Sequence, residues 1–208
     1  MNLGAHHTII PVGSYGVNCV AFWNDREQCV LVDPGSDADK LNEFLRSFDL
    51  TLEAVVLTHC HFDHIGALPD LLAKRRNIPV FLHFNDWKMF GHPLNQCPPE
   101  YPSVPAPNNL CNILNLPTAC LGIGFEVIET PGHTPGSVCL KNGDILLSGD
   151  TLFAGSCGRT DFPGGDMAAM RRSLDKLAKL PPETVVIPGH GAKTTIGEEV
   201  ANNPFMER

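Results

Sequence analysis

No stretch of this chain approaches the roughly 18–20 consecutive apolar residues of a membrane-spanning helix, and residues 1–10 carry neither a basic segment nor an apolar core of signal-peptide length. A cytoplasmic protein that does not span a membrane is expected. Positive charge is in short supply: 15 Lys and Arg stand against 23 Asp and Glu, the net charge is −8, and the longest basic run is Lys74-Arg75-Arg76. General binding to nucleic acid or to anionic membranes is therefore excluded as a function class. The eight cysteines, at 19, 29, 60, 97, 111, 120, 139 and 157, include no C-x-x-C pair and no regular spacing. Neither a disulfide framework nor a zinc ribbon follows, and free thiols in a reducing compartment are expected. Cys97, Cys111 and Cys120 share one irregular region, where a binding role is the alternative to free thiols.

What is present is enough apolar residue, 43% of 208, to build a real core, over a length that fits one large or two small domains. The 19 glycines and 18 prolines stay below low-complexity levels and predict many tight loops on a folded scaffold. Apolar and β-branched runs predict strands over residues 7–12, 17–23, 28–33, 54–58, 80–83, 125–130, 137–140, 144–148 and 184–187. Helical spacing of Leu41, Phe44, Leu45 and Phe48 behind Ser36 and Asp37 predicts a capped helix, and further helices are expected over residues 65–76 and 167–180. Six prolines between residues 91 and 110 exclude regular structure there and predict a long ordered loop, either a lid or a rigid connector carrying Trp87, Phe90 and Tyr101 near it. Strand and helix alternate in both halves, which is the pattern of one layered α/β domain over residues 1–208.

The hexapeptide His59-Cys60-His61-Phe62-Asp63-His64 packs three imidazoles and a carboxylate into six residues between a strand and a helix. His59 and His61 share one side of extended backbone, while Asp63 and His64 at the turn point elsewhere, so one segment can serve two neighbouring metals. Three later glycine-rich turns each follow a strand and offer one ligand-type residue: Pro131-Gly132-His133, Ser148-Gly149-Asp150 and Pro188-Gly189-His190-Gly191. His6, His7, His83 and His92 fit no ligand pattern.

The ordered set HxHxDH, then His, Asp and His, resembles the metallo-β-lactamase-fold superfamily from Val17 to His190. The resemblance implies an αβ/βα four-layer sandwich with a binuclear site at one edge of its sheets. It implies His59, His61 and His133 on one ion, Asp63, His64 and His190 on the other, and Asp150 bridging them. Asp63 and Asp150 would serve catalysis around a metal-bridging hydroxide, and Asp33 would orient ligands from behind. Nitrogen and carboxylate donors suit two divalent ions, zinc first and iron or manganese as alternatives.

An aspartate at 150, where β-lactamases of subclasses B1 and B2 carry cysteine, moves β-lactam hydrolysis down the ranking. Residues 157–166 (CGRTDFPGGD) and the tail Thr194-Thr195-Ile196-Gly197-Glu198-Glu199 resemble single-domain glyoxalase II-like proteins, that is, hydroxyacylglutathione hydrolases. A binuclear thioesterase acting on a small-molecule substrate such as S-lactoylglutathione is the expected function. The Gly158–Phe162 stretch also resembles persulfide dioxygenases, which would use one iron on His59, His133 and Asp150; Pro-Gly-His-Gly at 188–191 is the hydrolase form. Lactonase activity and a catalytically quiet metal-binding role are the remaining alternatives. Only 18 residues follow His190, too few for the helical domain that binds glutathione in two-domain relatives. Arg159 and Lys193 are the basic candidates for contacting an anionic substrate, each weighed against a structural or merely solvated role.

Overall fold

A computed structural model describes residues 6–73, 75, 77–95, 98, 101–116 and 122–206. Cys97 and Cys120 lie outside these, so the grouping with Cys111 falls beyond the described residues.

Six strands form the first sheet in chain order: β1 (His6–Val12), β2 (Val17–Trp23), β3 (Gln28–Val32), β4 (Thr51–Val56), β5 (Val80–Leu82) and β6 (Leu110–Asn112). The first three pair antiparallel, and β3 through β6 pair parallel. The second sheet holds β7 (Glu126–Glu129), β8 (Val138–Asn142), β9 (Ile145–Gly149), β12 (Val185–Pro188) and β13 (Thr194–Thr195), in the order β13-β12-β9-β8-β7. A small hairpin, β10 (Leu152–Phe153) with β11 (Ser156–Cys157), stands apart. The helices are α1 (Ala38–Ser47), α2 (Phe62–Ile65), α3 (Leu68–Leu72), α4 (Met167–Leu177) and α5 (Ile196–Asn202).

Alternation along the strands creates the layers, because successive side chains point to opposite faces. Val20, Phe22, Val30, Val32, Ala54 and Val56 face inward and meet Val138, Leu140, Leu147 and Ile187 of the second sheet in one apolar cluster. Their neighbours Cys19, Ala21, Leu31, Val55 and Leu57 face outward and pack beneath Leu41 and Leu45 of α1 and Leu68 and Leu71 of α3. On the far side, Leu146 and Val186 pack against Met170, Leu174 and Leu177 of α4 and Ile196 of α5. Each fully buried Leu, Ile or Val contributes about 1.5–3 kcal/mol relative to exposure. The order helix, sheet, sheet, helix is the four-layer αβ/βα sandwich. Among the described residues, no helix is long and apolar enough to cross a membrane.

Three departures from the sequence reading have local causes. The helix expected over residues 65–76 is shorter, α3 alone at Leu68–Leu72, while α2 takes Phe62–Ile65 from the stretch read as a turn and ends where that helix is expected to begin. At the junction the amide of Ala67 donates to Pro34 O, and Gly66 packs so closely that a Cβ there would lie 2.4 Å from Gly35 O. Asp37 stands at the start of α1 but makes no side-chain cap; its left-handed backbone sends the carboxylate to the amide of Gly13, 2.8 Å away. Finally, β6, β10, β11, β13 and α5 do not follow from apolar periodicity, being short or lying beyond the last apolar run, and a 3-10 turn at Pro93–Asn95 stands within the proline-rich segment where no regular structure is expected.

The parallel pairs β3/β4 and β9/β12 place their C-terminal ends on one edge of the sandwich. Asp33, His59, Asp150 and His190 all follow these ends within a few residues, so strand direction itself gathers them.

Candidate metal centre

Among the described residues, three groups have ligand atoms all within 4.8 Å of one another: His59, His61 and His133; His59, His64 and Asp150; Asp63, His64 and His190. The fold thus brings together all seven residues singled out on the sequence, and Asp150 lies within 4 Å of imidazoles on three segments, His64, His133 and His190. His6, His7, His83 and His92 stand outside these groups. Asp33 sits behind them. It accepts from the Thr58 amide at 2.8 Å, from the Thr58 hydroxyl at 2.6 Å and from His64 Nδ1 at 3.0 Å.

These partners set which ring nitrogen carries a proton. His64 donates from Nδ1 to Asp33, His133 donates from Nδ1 to Arg159 O at 2.8 Å, and His190 donates from Nδ1 to Tyr15 O at 3.0 Å. Since the Thr58 hydroxyl spends its single proton on Asp33, it accepts from His59 Nδ1 at 3.1 Å. Four imidazoles therefore turn Nε2 toward a shared space. His61 is the exception: its Nδ1 faces His133 Nε2 at 2.7 Å, an approach that requires a proton or a cation between the two nitrogens.

His59 Nε2, His61 Nε2 and Asp150 Oδ1 are buried without a hydrogen-bond partner. His64 Nε2 is 3.4 Å from that Asp150 oxygen but is not aligned to bond it. Orphaned polar atoms cost about 1–3 kcal/mol each in a protein interior; two of these residues, His59 and Asp150, share one group of close ligand atoms, the pattern expected of metal-binding donors. The donor set fits divalent metal ions.

The electrostatics point the same way. Burial, together with the neighbouring imidazoles, drives His59 well below its ordinary pKa and pushes His61 down to about 3, leaving both neutral. Burial opposes ionisation of Asp150 and Asp63, yet His64 and His190 hold both below the usual carboxylate range, with His133 assisting at Asp150. At His64 burial is outweighed by Asp150, Asp33 and Asp63, which raise its pKa strongly; Asp63 and Asp150 raise that of His190 against burial in the same way. The carboxylates demand positive charge, and protons on His64 and His190 answer that demand where a bound cation would otherwise do so.

Two aromatic flanks rim the site. On one, Phe162 meets His61 edge-on at 5.7 Å and carries the Arg159 guanidinium 3.8 Å above its ring. Arg159 is exposed and bonds Asp161 through Nε and Nη2, both at 2.7 Å, which holds the Asp161 carboxyl at about 2. On the other flank, Tyr15, Phe62 and Tyr101 pack edge to face at 4.9–5.6 Å, and the Tyr101 hydroxyl bonds Ser14 at 2.6 Å. Through Tyr101 the proline-rich segment reaches the rim. Lys193 is exposed on the turn after His190 and makes no hydrogen bond or ion pair with the described residues.

Sequence reasoning missed Thr58, Asp86 and Asn95. Thr58 relays Asp33 to His59; Asp86 and Asn95 hold the backbone between His59 and His61. A buried aspartate in an unremarkable FNDW stretch carries no signal until the chain is folded.

Residues 12–190 match the family model described as "Metallo-beta-lactamase superfamily". A probable metallo-hydrolase YqgX of Bacillus subtilis is 37% identical over 203 residues, covering 95% of each chain. The hydroxyacylglutathione hydrolase GloC of Haemophilus influenzae is 34% identical over 209 residues, 95% of this chain and 96% of that one. Among solved structures, BLEG-1 B3 metallo-beta-lactamase superposes with a TM-score of 0.88 at 37% identity, covering 98% of this chain and 100% of that one. TTHA1623 in a di-iron-bound form gives 0.82 at 36%, covering 95% and 99%. ETHE1 from Myxococcus xanthus gives 0.73 at 29%, covering 96% and 83%. With the family model spanning most of the chain and relatives above one-third identity across nearly all of it, this chain belongs to the metallo-beta-lactamase superfamily.

Proposed function

We infer that this chain is a metal-dependent hydrolase that holds two divalent ions and cleaves a thioester of the S-lactoylglutathione kind. The observation that carries the reading is the pair of donor groups, His59/His61/His133 and Asp63/His64/His190, joined by Asp150 with a buried, unpartnered oxygen. By the superfamily pattern those groups would hold one ion each and Asp150 would bridge them. When bound, two such ions supply a water acidified from about 15.7 toward about 7 and an electrophilic pole for a carbonyl oxygen. The chain's part is preparation. Asp33, Arg159 O and Tyr15 O keep Nδ1 protons on three imidazoles so that Nε2 stays a donor of electrons. Asp63 and Asp150 remain ionised at neutral pH, available to orient a water or accept its proton. Arg159 and the aromatic flanks are the proposed contacts for the parts of a substrate away from the scissile bond, a reading supported by their position at the rim beside His61 and His190.

The similarity to GloC supports a glutathione thioester. The likeness to ETHE1 keeps an iron-dependent persulfide dioxygenase in view, but that chemistry needs one ion, and the second donor group beyond His59, His133 and Asp150 favours two. The 37% identity with BLEG-1 supports a second reading, hydrolysis of a β-lactam amide at the same site. One experiment separates them: protein loaded with zinc, iron or manganese is offered S-lactoylglutathione without oxygen, a chromogenic cephalosporin, and glutathione persulfide with oxygen. Thiol release from the first is expected. Turnover of only the second or third, with the ion count measured alongside, overturns the thioesterase reading.

A further inference from the structure

We propose that Asp86 is a positioning residue that sets the spacing of the three-imidazole group His59, His61 and His133 by clamping together the two loops that carry it. This rests on the reading of those imidazoles as one ion's ligands. Asp86 lies in the short helical turn Phe84–Met89, is fully buried, and makes its side-chain hydrogen bonds to Cys60, Thr134 and Gly136 and to none of the seven ligand-type residues. Its Oδ2 accepts from the amide of Cys60 at 3.2 Å and from the hydroxyl of Thr134 at 2.7 Å; its Oδ1 accepts from the amide of Gly136 at 2.7 Å. Cys60 is the residue between His59 and His61, and Thr134 is the residue after His133. One carboxylate therefore grips both loops, one from each half of the chain, immediately beside the ligand positions.

The surroundings leave this clamp little play. The carbonyl of the same Cys60 accepts from Asn95 Nδ2 at 2.8 Å, so that residue is held at both its N–H and its C=O. On the other loop, a Cβ at Gly136 would lie 2.6 Å from Asp86 Oδ1, so only glycine allows the loop this close. The Thr134 amide donates to Ser137 Oγ at 3.0 Å, closing the turn against the same carboxylate. The imidazoles that result stand with ring centres 4.4–4.9 Å apart. The second group, Asp63/His64/His190, is fixed instead by Asp33 and Tyr15 O, and none of Asp86's hydrogen bonds goes to it or to a residue next to it in the chain. The clamp should act on one ion and leave the other alone.

Asp86→Asn is the sharpest probe, because it keeps the shape while turning one acceptor into an NH2 group aimed at a donor. Chelator-treated full-length protein is titrated with cobalt(II), with uptake read from its visible absorption and from ion counts. Wild type is expected to take two equivalents. Asp86→Asn should weaken one equivalent about 10–100-fold, the size found for partners of metal ligands, and leave the other within about threefold. Thr134→Val, which removes one of the three bonds, should weaken the same equivalent by less. A merely structural role would lower both affinities together with the melting temperature. Two equivalents bound by Asp86→Asn with wild-type affinity overturn the proposal. If that variant fails to fold, unchanged uptake by Thr134→Val overturns it and selective weakening supports it. A wild type that takes up no cobalt fails the metal-site reading itself, and this inference with it.

Discussion

Gly189→Ala tests the geometry of the site with one methyl group. Gly189 precedes His190; its amide donates to Gly149 O at 2.8 Å and its carbonyl accepts from the Asn18 amide at 2.8 Å, so the backbone is pinned on both sides. A Cβ added here would lie 2.2 Å from Asp150 Oδ1 and 2.8 Å from His64 Cε1. Restoring ordinary contact at 3.4 Å requires the carboxylate to retreat about 1.2 Å, since the pinned backbone cannot. That displacement falls on the oxygen that has no hydrogen-bond partner. A misplacement of about 1 Å can cost about 100-fold in rate, and ion affinity should fall about 10–100-fold.

The comparison variant is Gly191→Ala, two residues on. Gly191 has a φ of +79 and nothing within 4 Å of an added Cβ, so alanine there meets backbone strain but no obstruction. Left-handed backbone at a non-glycine residue costs about 1–2 kcal/mol, or a few degrees in melting temperature for a chain of this size. Gly189→Ala should therefore lose ion affinity and turnover, with an overpacking cost of about 1–3 kcal/mol besides, whereas Gly191→Ala should melt lower while binding ions normally. Ion titration, calorimetry and turnover on both variants decide the matter. Full affinity and turnover in Gly189→Ala would refute the placement of Asp150 among the ligands.

Asp33→Asn should reduce ion affinity about 10–100-fold, because an amide cannot accept from the Thr58 amide, the Thr58 hydroxyl and His64 Nδ1 together; ion titration in which the variant matches wild type contradicts the relay. The ion-free protein should be most stable near pH 6.5, the ordinary histidine pKa. Below it, unfolded chains take up protons that buried His59 and His61 refuse until about pH 3 at His61, so stability falls with pH. Above it, the stability contributed by protonated His64 and His190, whose pKa values are raised, fades as pH rises through them. Denaturant titrations of chelated protein across pH 4–9 measure this, and bound divalent ions should flatten the alkaline side by replacing those protons; a profile rising steadily to pH 9 without ions would contradict it.

The ligand-type residues were legible in the sequence because their chemistry is local. Three imidazoles and a carboxylate in six residues, and glycines flanking His133, Asp150 and His190, announce a purpose without any knowledge of contacts. The strands were legible for a related reason: alternation such as Cys19/Val20/Ala21/Phe22 follows directly from the pleat, with one set of residues in the inner cluster and the other in the outer. The single helix expected over residues 65–76 failed because spacing of apolar residues cannot register that Gly35 and Pro34 press on the chain at Gly66 and Ala67. Asp37 has the right residue type for a helix cap, and only the turn at Gly13 explains why its carboxylate goes elsewhere.

The residues proposed to contact a substrate are harder to read for a physical reason. Tyr15 and Tyr101, the only tyrosines in the chain, are 86 residues apart and meet at 5.6 Å beside the loop of His190. Each alone is an ordinary aromatic near a turn; their meaning lies in the contact. Arg159 was identified from its position in a motif, yet its bidentate bond to Asp161 shows that its charge is already shared. In the proposed substrate role an anionic group would compete with that carboxylate for the guanidinium, so Arg159 would act there as a donor stacked on Phe162 and not as an open positive charge. The ligand-type residues are thus written in residue types, whereas the rim proposed to meet a substrate is written in pairings, and pairings exist only once the chain has folded.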